Sequence, residues 1–147
     1  MDLLFLTARW SGKNQRVVGV AAEEIDRGFV RAGIAEGGVQ IEPNVAVEDE
    51  YVVHALLEED GTLAVAGVSR QRCDARGAWI ASERFAGPPL IAERLEEEAR
   101  LVGRALADAG YFGPFGIDAF TYDGGRLNAR SEINARYTMG FRRATSR

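Results

Sequence analysis

This chain has little of what most side-chain chemistries require. Its 147 residues include one cysteine, Cys73, and one histidine, His54. A lone cysteine excludes an internal disulfide and a cysteine metal cluster, and it suits a reducing cytoplasm. Cys73 also has no visible histidine partner to make it a nucleophile. With a single histidine there is no basis for Ser–His–Asp catalysis. His54, in the alternating run Tyr51-Val52-Val53-His54, reads as a strand-face residue. No apolar run is long enough to cross a bilayer. The start, Met1-Asp2-Leu3-Leu4-Phe5-Leu6, lacks the basic segment and cleavage site of a signal peptide. Neither sign of charge dominates: 18 basic and 22 acidic residues leave a net −4, which makes no electrostatic case for nucleic acid. There is no internal repeat, low-complexity tract or long linker.

What is present fits a small folded domain. The length allows one domain with a real core. Hydrophobic content of 46% and charged content of 27% are ordinary for a globular chain. Leu3 to Ala8 reads as a strand, Trp10 to Arg16 as a polar turn, and Val17-Val18-Gly19-Val20 as resumed apolar sequence. Residues 21–35 carry helical spacing, with Ile25, Phe29 and Val30 on one side, and Gly37-Gly38 stops it. Val39 to Glu42 is a short strand ended by Pro43-Asn44. Glu50–Leu57 and Thr62–Arg70 flank Glu59-Asp60-Gly61 as a hairpin, and Ala78 to Ser82 is a further strand. The polar stretch Gln71 to Trp79 reads as a solvent hairpin with Trp79 packed on the sheet, the alternative being that Arg72 and Arg76 reach a carboxylate or phosphate. After Gly87-Pro88-Pro89 a long helix covers about residues 90–109 and ends at Gly110. Its stripe is Ile91, Leu95, Val102 and Leu106; Glu93, Glu96, Glu97 and Arg100 form a solvated face and not a metal cluster. The tail from Arg142 to Arg147 reads as frayed. Hairpins joined without intervening helices predict an α+β fold, a mainly antiparallel sheet covered by two helices.

The chemistry concentrates late in the chain. Gly116-Ile117-Asp118-Ala119-Phe120 and Ser131-Glu132-Ile133-Asn134-Ala135-Arg136 flank Tyr122-Asp123-Gly124-Gly125-Arg126, whose Asp/Gly residues suit a tight hairpin turn. Residues two apart on a strand share a face. Glu132 and Asn134 therefore point together, and the hairpin brings Asp118 beside them. Two carboxylates and an amide oxygen are hard donors of the kind Mg²⁺ takes together with nucleotide phosphates and water. Arg136 shares that face and suits a forked hydrogen bond to an anion. Arg130 has the same strand parity.

Glu-x-Asn-x-Arg on a late strand, preceded by Gly-Ile-Asp-Ala-Phe on its neighbour, resembles the ATP-grasp family. The match is specific over about residues 100–140, moderate over 37–85 and weak over the first 35. The resemblance implies that Asp118, Glu132 and Asn134 hold the Mg²⁺ (or Mn²⁺) of bound ATP. It implies that Arg136 and Arg130 position an acyl phosphate. Val39 to Val45 then corresponds to the hinge that reads adenine through its backbone, including Glu42, Pro43, Asn44 and Val45. An acidic residue a few positions later holds the ribose; Glu48 and Glu50 both qualify. Leu6 to Arg16 is similar to the phosphate-covering strand and loop. The family's lysine falls near Thr7, which carries no charge, and only Gly12 remains of the loop glycines. Lys13 or Arg16 would supply the cation in its place.

The resemblance covers roughly the C-terminal half of an ATP-grasp enzyme. Residues 1–36 correspond to a remnant of the phosphate-loop lobe and residues 37–141 to the hinge and metal-binding lobe. The implied activity is ATP-dependent ligation of a small carboxylate to an amine or thiol. It would be completed by a missing N-terminal part, a second chain or a homo-oligomer. The alternative is a non-catalytic nucleotide-binding or interaction module. No nucleic acid or membrane partner is expected, and the expected location is the cytoplasm.

Overall fold

The computed structural model describes residues 2–7, 14–18, 24–43, 45–74 and 79–141. The fold is α+β, with antiparallel sheets and two helices, and it divides into two compact units, Met1–Ala46 and Val47–Arg147. In the first unit, β1 (Asp2–Thr7), β2 (Asn14–Val18) and β3 (Val39–Pro43) form an antiparallel sheet in the order β2-β1-β3. The helix α1 (Glu24–Ala35) packs against β2 and β3. The strand expected at the hinge, β3, pairs with β1 in the first sheet.

The second unit holds β4 (Val47–Leu57), β5 (Leu63–Cys73), β6 (Trp79–Arg84), α2 (Pro89–Asp108), β7 (Gly113–Tyr122) and β8 (Arg126–Asn134). The strands form one antiparallel sheet in the order β6-β5-β4-β7-β8. Two strands are longer than their sequence patterns suggest. β4 starts at Val47 because Val47 and Asp49 pair with Tyr122 and Thr121 of β7. β5 runs to Cys73 because Gln71 pairs with Glu50 and Arg72 with Ala81, so Gln71 to Cys73 are strand and not turn.

Alternation sorts this sheet into two faces. Tyr51, Val53, Ala55 and Leu57 of β4 join Phe115, Ile117 and Ala119 of β7 on one face. Leu95, Ala99 and Val102 of α2, spaced to lie along one side of a helix, close over it. Each fully buried Leu, Ile, Val or Phe here contributes about 1.5–3 kcal/mol. The two helices are shared out, one with each sheet.

The opposite face of the five-stranded sheet is crossed by residues 135–141, which follow β8. Thr138 lies over Gly116 of β7, and its hydroxyl bonds His54 of β4 at 2.8 Å. His54 Nε2 in turn bonds Ser69 Oγ of β5 at 2.8 Å. Gly140 presses on Ser82 of β6; a Cβ there would meet the Ser82 side chain at 2.5 Å. Its φ of +87° is also one that side chains with a Cβ rarely adopt. This strap thus spans the sheet from β8 to β6. His54 is fully buried, and desolvation pushes its pKa down to about 4, so it is a neutral structural residue with both ring nitrogens bonded. Phe141 meets its ring edge-on at 5.8 Å.

Candidate functional site

The β7–β8 hairpin positions the acidic cluster. Asp123, Gly124 and Gly125 all have positive φ, which closes the tight turn. In the ladder Asp118 faces Glu132 and Gly116 faces Asn134. Ile117 and Ala119 go to the core beneath α2, so Asp118 projects from the opposite face. Asn134 is buried and donates from Nδ2 to Asp118 Oδ2 at 3.0 Å. Gln71 Nε2 donates to Asp118 Oδ1 at 3.3 Å. Arg136 donates from Nη2 to Asn134 Oδ1 at 2.9 Å. Gln71, Asp118, Asn134 and Arg136 therefore form one hydrogen-bonded chain across three strands and the start of the strap.

Burial raises the Asp118 pKa to about 6, and the neighbouring Glu132 charge adds to the shift. The bonds from Asn134 and Gln71 and the Arg136 charge offset part of it. Ionised Asp118 is thus held at a cost, beside a second carboxylate. A cation is the ligand such a pair favours, and carboxylate and amide oxygens are suitable donors for Mg²⁺. Asn134 presents its nitrogen to Asp118 and its oxygen to Arg136, and a half-turn of the terminal amide exchanges the two. Among the described residues, no three His, Cys, Asp or Glu side chains form a metal-holding group, so a bound ion would need the amide oxygen and the ligand's own oxygens.

The other site residues inferred from the sequence separate. Arg130 is not gathered with Asp118. The register shifts between Asp118 and Phe120, where β8 carries extra residues, and this breaks the simple alternation behind the parity argument. Arg130 instead pairs with Glu98 of α2, Nη1 to Oε1 at 3.2 Å, on the helix side of the sheet. Glu48 accepts from the backbone N–H groups of Gly124 at 2.7 Å and Gly125 at 3.0 Å, which ties β4 to the hairpin turn. Glu50 lies beside Gln71 in the ladder and near the Cys73 thiol. Burial pushes that thiol up to about 12, with Glu50, Asp118 and Asp74 adding to the shift, so it is protonated at neutral pH. Glu42 and Pro43 end β3, Val45 follows them, and Arg16 lies on β2. Lys13, Asn44, Arg76 and residues 142–147 lie outside the described residues.

Gln71 and Thr138 were missed in the sequence. Gln71 was hidden because Gln71 to Gly77 looked like a polar turn; its parity with Ser69 is the signal that places it on this face. Nothing local marks Thr138, whose role depends on the strap folding back. Open clefts are found among the described residues of this unit. One, of about 600 Å³, lies on the α2 side and includes Leu63, Glu96, Arg100 and Arg104. The other, of about 710 Å³, lies between β6 and the strap and includes Trp79, Tyr137 and Met139. Neither includes Asp118 or Glu132.

No protein-family model and no curated protein matches the sequence. Solved structures do. The chain is similar to biotin carboxylase from Campylobacter jejuni, in a β-γ-ATP complex, with a TM-score of 0.73 at 16% identity over 94% of this chain and 32% of that one. It is similar to N5-carboxyaminoimidazole synthetase from Staphylococcus aureus complexed with ADP, with a TM-score of 0.68 at 12% identity over 93% of this chain and 35% of that one. The biotin carboxylase domain of the Hydrogenobacter thermophilus 2-oxoglutarate carboxylase, with MgADP, ADP and bicarbonate, gives 0.70 at 16% identity, over 94% and 31%. At these identities the likeness is one of fold: the chain has an ATP-grasp-type fold and spans about a third of the length of these neighbours.

Proposed function

We propose that this chain is the metal- and acyl-phosphate-binding part of an ATP-dependent ligase that joins a small carboxylate to an amine or a thiol. The observation that carries the reading is the placement of Asp118, Glu132 and Asn134 on one sheet face, with Arg136 bonded to Asn134. The nucleotides and MgADP in structures of the same fold support it.

In the proposed reaction, a carboxylate oxygen of the substrate attacks the terminal phosphorus of ATP. The bond to ADP breaks, leaving an acyl phosphate. The amine or thiol then attacks the carbonyl carbon, phosphate departs, and the nucleophile's proton passes to phosphate or water. Asp118, Glu132 and Asn134 would hold Mg²⁺, which neutralises developing phosphate charge. Arg136, at the end of the hydrogen-bonded chain, orients the acyl phosphate by forked donation. Arg130 would join Arg136 in positioning the acyl phosphate only by leaving its ion pair with Glu98. Glu50 is the better of the two ribose candidates, since Glu48 is committed to the hairpin turn. Adenine would be read by the backbone of residues 42–45, and the phosphates by Lys13 or Arg16. The rest of the nucleotide lobe would come from another segment or chain, and the setting would be the cytoplasm.

A second reading is a nucleotide-binding module without turnover, favoured by Thr7 at the place where the resemblance expects a lysine. Thermal shift with ATP, with and without Mg²⁺, tests the site. A ligand present at a hundredfold excess over its Kd adds about 2.7 kcal/mol to the folded state. The expected result is a Mg²⁺-dependent rise that Glu132→Ala and Asn134→Ala each abolish. A rise indifferent to Mg²⁺ and to both substitutions refutes the metal assignment. Binding with no ADP formed in the presence of a set of carboxylates selects the module.

A further inference from the structure

The strap does more than cover the sheet. It leaves Asn134 and Arg136 at its start and ends against Ser82 of β6 at Gly140. Between its outer part and β6 lies the cleft of about 710 Å³, within the roughly 300–1,000 Å³ typical of small-molecule sites. Trp79 and Ile80 line it from β6, and Tyr137, Met139 and Phe141 from the strap. Four of these large apolar side chains, Trp79, Ile80, Tyr137 and Met139, are exposed. Contiguous exposed apolar surface of this kind marks a binding site more often than chance.

The walls are braced. Tyr137 and Phe141 meet edge to face at 5.1 Å, and Phe141 meets His54 in the same manner at 5.8 Å. The Trp79 indole N–H is fixed by Ser82 Oγ at 3.0 Å. Rings held edge to face offer a large apolar contact at low entropic cost. Among the described residues of the strap, Arg136 is the one that carries a charge, and it precedes the cleft-lining Tyr137 in the chain. Its described bonds go to neutral oxygens, Asn134 Oδ1 and, at 3.5 Å, the Tyr137 carbonyl. A guanidinium has five N–H donors, so donors remain for a carboxylate.

We infer that this cleft binds the apolar body of the acyl substrate, a monocarboxylate bearing an aromatic or comparably bulky apolar group, with Arg136 taking the carboxylate. The inference rests on the ligase reading and narrows its substrate class. A small, wholly polar acid such as bicarbonate would leave the cleft unused.

The test uses 3-phenylpropanoate, propanoate and 3-phenylpropan-1-ol, titrated with and without MgADP and followed by tryptophan fluorescence and thermal shift. 3-Phenylpropanoate is expected to bind at least about tenfold more tightly than propanoate, from burial of the ring. Met139→Glu and Ile80→Asp, both at exposed positions that leave the core intact, should abolish that preference. Arg136→Gln should weaken the acid and leave the alcohol unchanged. Equal affinity for the two acids in both conditions, or a phenyl preference untouched by Met139→Glu and Ile80→Asp, overturns the inference. The MgATP thermal shift on the same samples separates the two claims. A retained shift without phenyl preference sinks the cleft alone. Phenyl preference without any shift supports a carboxylate site here and counts against the ligase reading.

Discussion

Asp118 offers the sharpest quantitative test of the cluster. Its carboxyl is raised from 3.8 to about 6, chiefly by burial and then by Glu132. A displacement of one pH unit corresponds to about 1.4 kcal/mol. The half-buried position softens the full product, leaving roughly 2–3 kcal/mol. The sign follows from linkage: between 3.8 and about 6 the folded state binds more protons than the unfolded state. This contribution to stability is therefore present below pH 3.8 and lost as pH rises through about 6. At pH 7 and without metal, the ionised side chain is a burden. Asp118→Asn removes the charge and keeps an oxygen that accepts from Gln71 or Asn134. The metal-free variant should be more stable than the parent at pH 7.5 by about 1–3 kcal/mol, and no more stable at pH 4. Urea unfolding of both proteins across this range measures the difference directly. Mg²⁺ with ATP should reverse the order at pH 7.5, stabilising the parent and not the variant. A variant less stable than the parent by the same amount at every pH would refute the reasoning, because the ionised carboxylate would then carry no penalty.

His54 runs the other way. Its pKa falls from 6.5 to about 4, so its contribution is present above pH 6.5 and is lost as pH falls through about 4, by roughly 3 kcal/mol. The Asp118→Asn protein, freed of the opposing titration, should show a steeper loss in acid than the parent in the same urea series. Gly140→Ala places a Cβ against Ser82 at a φ of +87°, and should cost about 2 kcal/mol or more. Limited proteolysis should then find the strap cleaved before the sheet. Arg130→Ala loses an ion pair with Glu98, and should change stability by about 1 kcal/mol or less while leaving the MgATP shift intact. Arg136→Ala should leave Mg²⁺-dependent ATP binding in place and impair the acyl-transfer step, measured as ADP formed per product.

Periodicity made much of this legible. The alternation of β4 separates Tyr51, Val53 and Ala55, which face α2, from His54, which faces the strap. The apolar spacing of α2 points to Leu95 and Val102, both buried. The Asp/Gly run before Arg126 marks the hairpin, and parity two residues apart puts Glu132 and Asn134 on one face. These are local signals, in which spacing along the chain maps directly onto direction in space.

The arrangements that the sequence left unread share one cause: each depends on an interaction between residues distant in sequence. Arg130 has the parity of Glu132, yet it lies in the stretch between Asn128 and Glu132 where β8 carries extra residues against β7, and such an irregularity leaves no residue-type signature. The carboxylate of Glu48 is taken by a turn 76 residues later in the chain. Gln71 looked like turn because polar residues on a strand covered by a strap resemble polar residues in a loop. Residues 135–140 of the strap belong to no helix or strand, and what fixes them on the sheet is the bond of Thr138 to His54 and the close approaches to Gly116 and Ser82. The same property makes it functionally interesting. A segment held by one neutral histidine, one threonine and one glycine both presents Arg136 beside the acidic cluster and forms the wall of the apolar cleft. Changes to Met139 can therefore alter the size of what the cleft admits without touching the carboxylates, because the strap's described anchors run through Thr138, Gly140 and the Tyr137–Phe141–His54 ring contacts and not through that side chain.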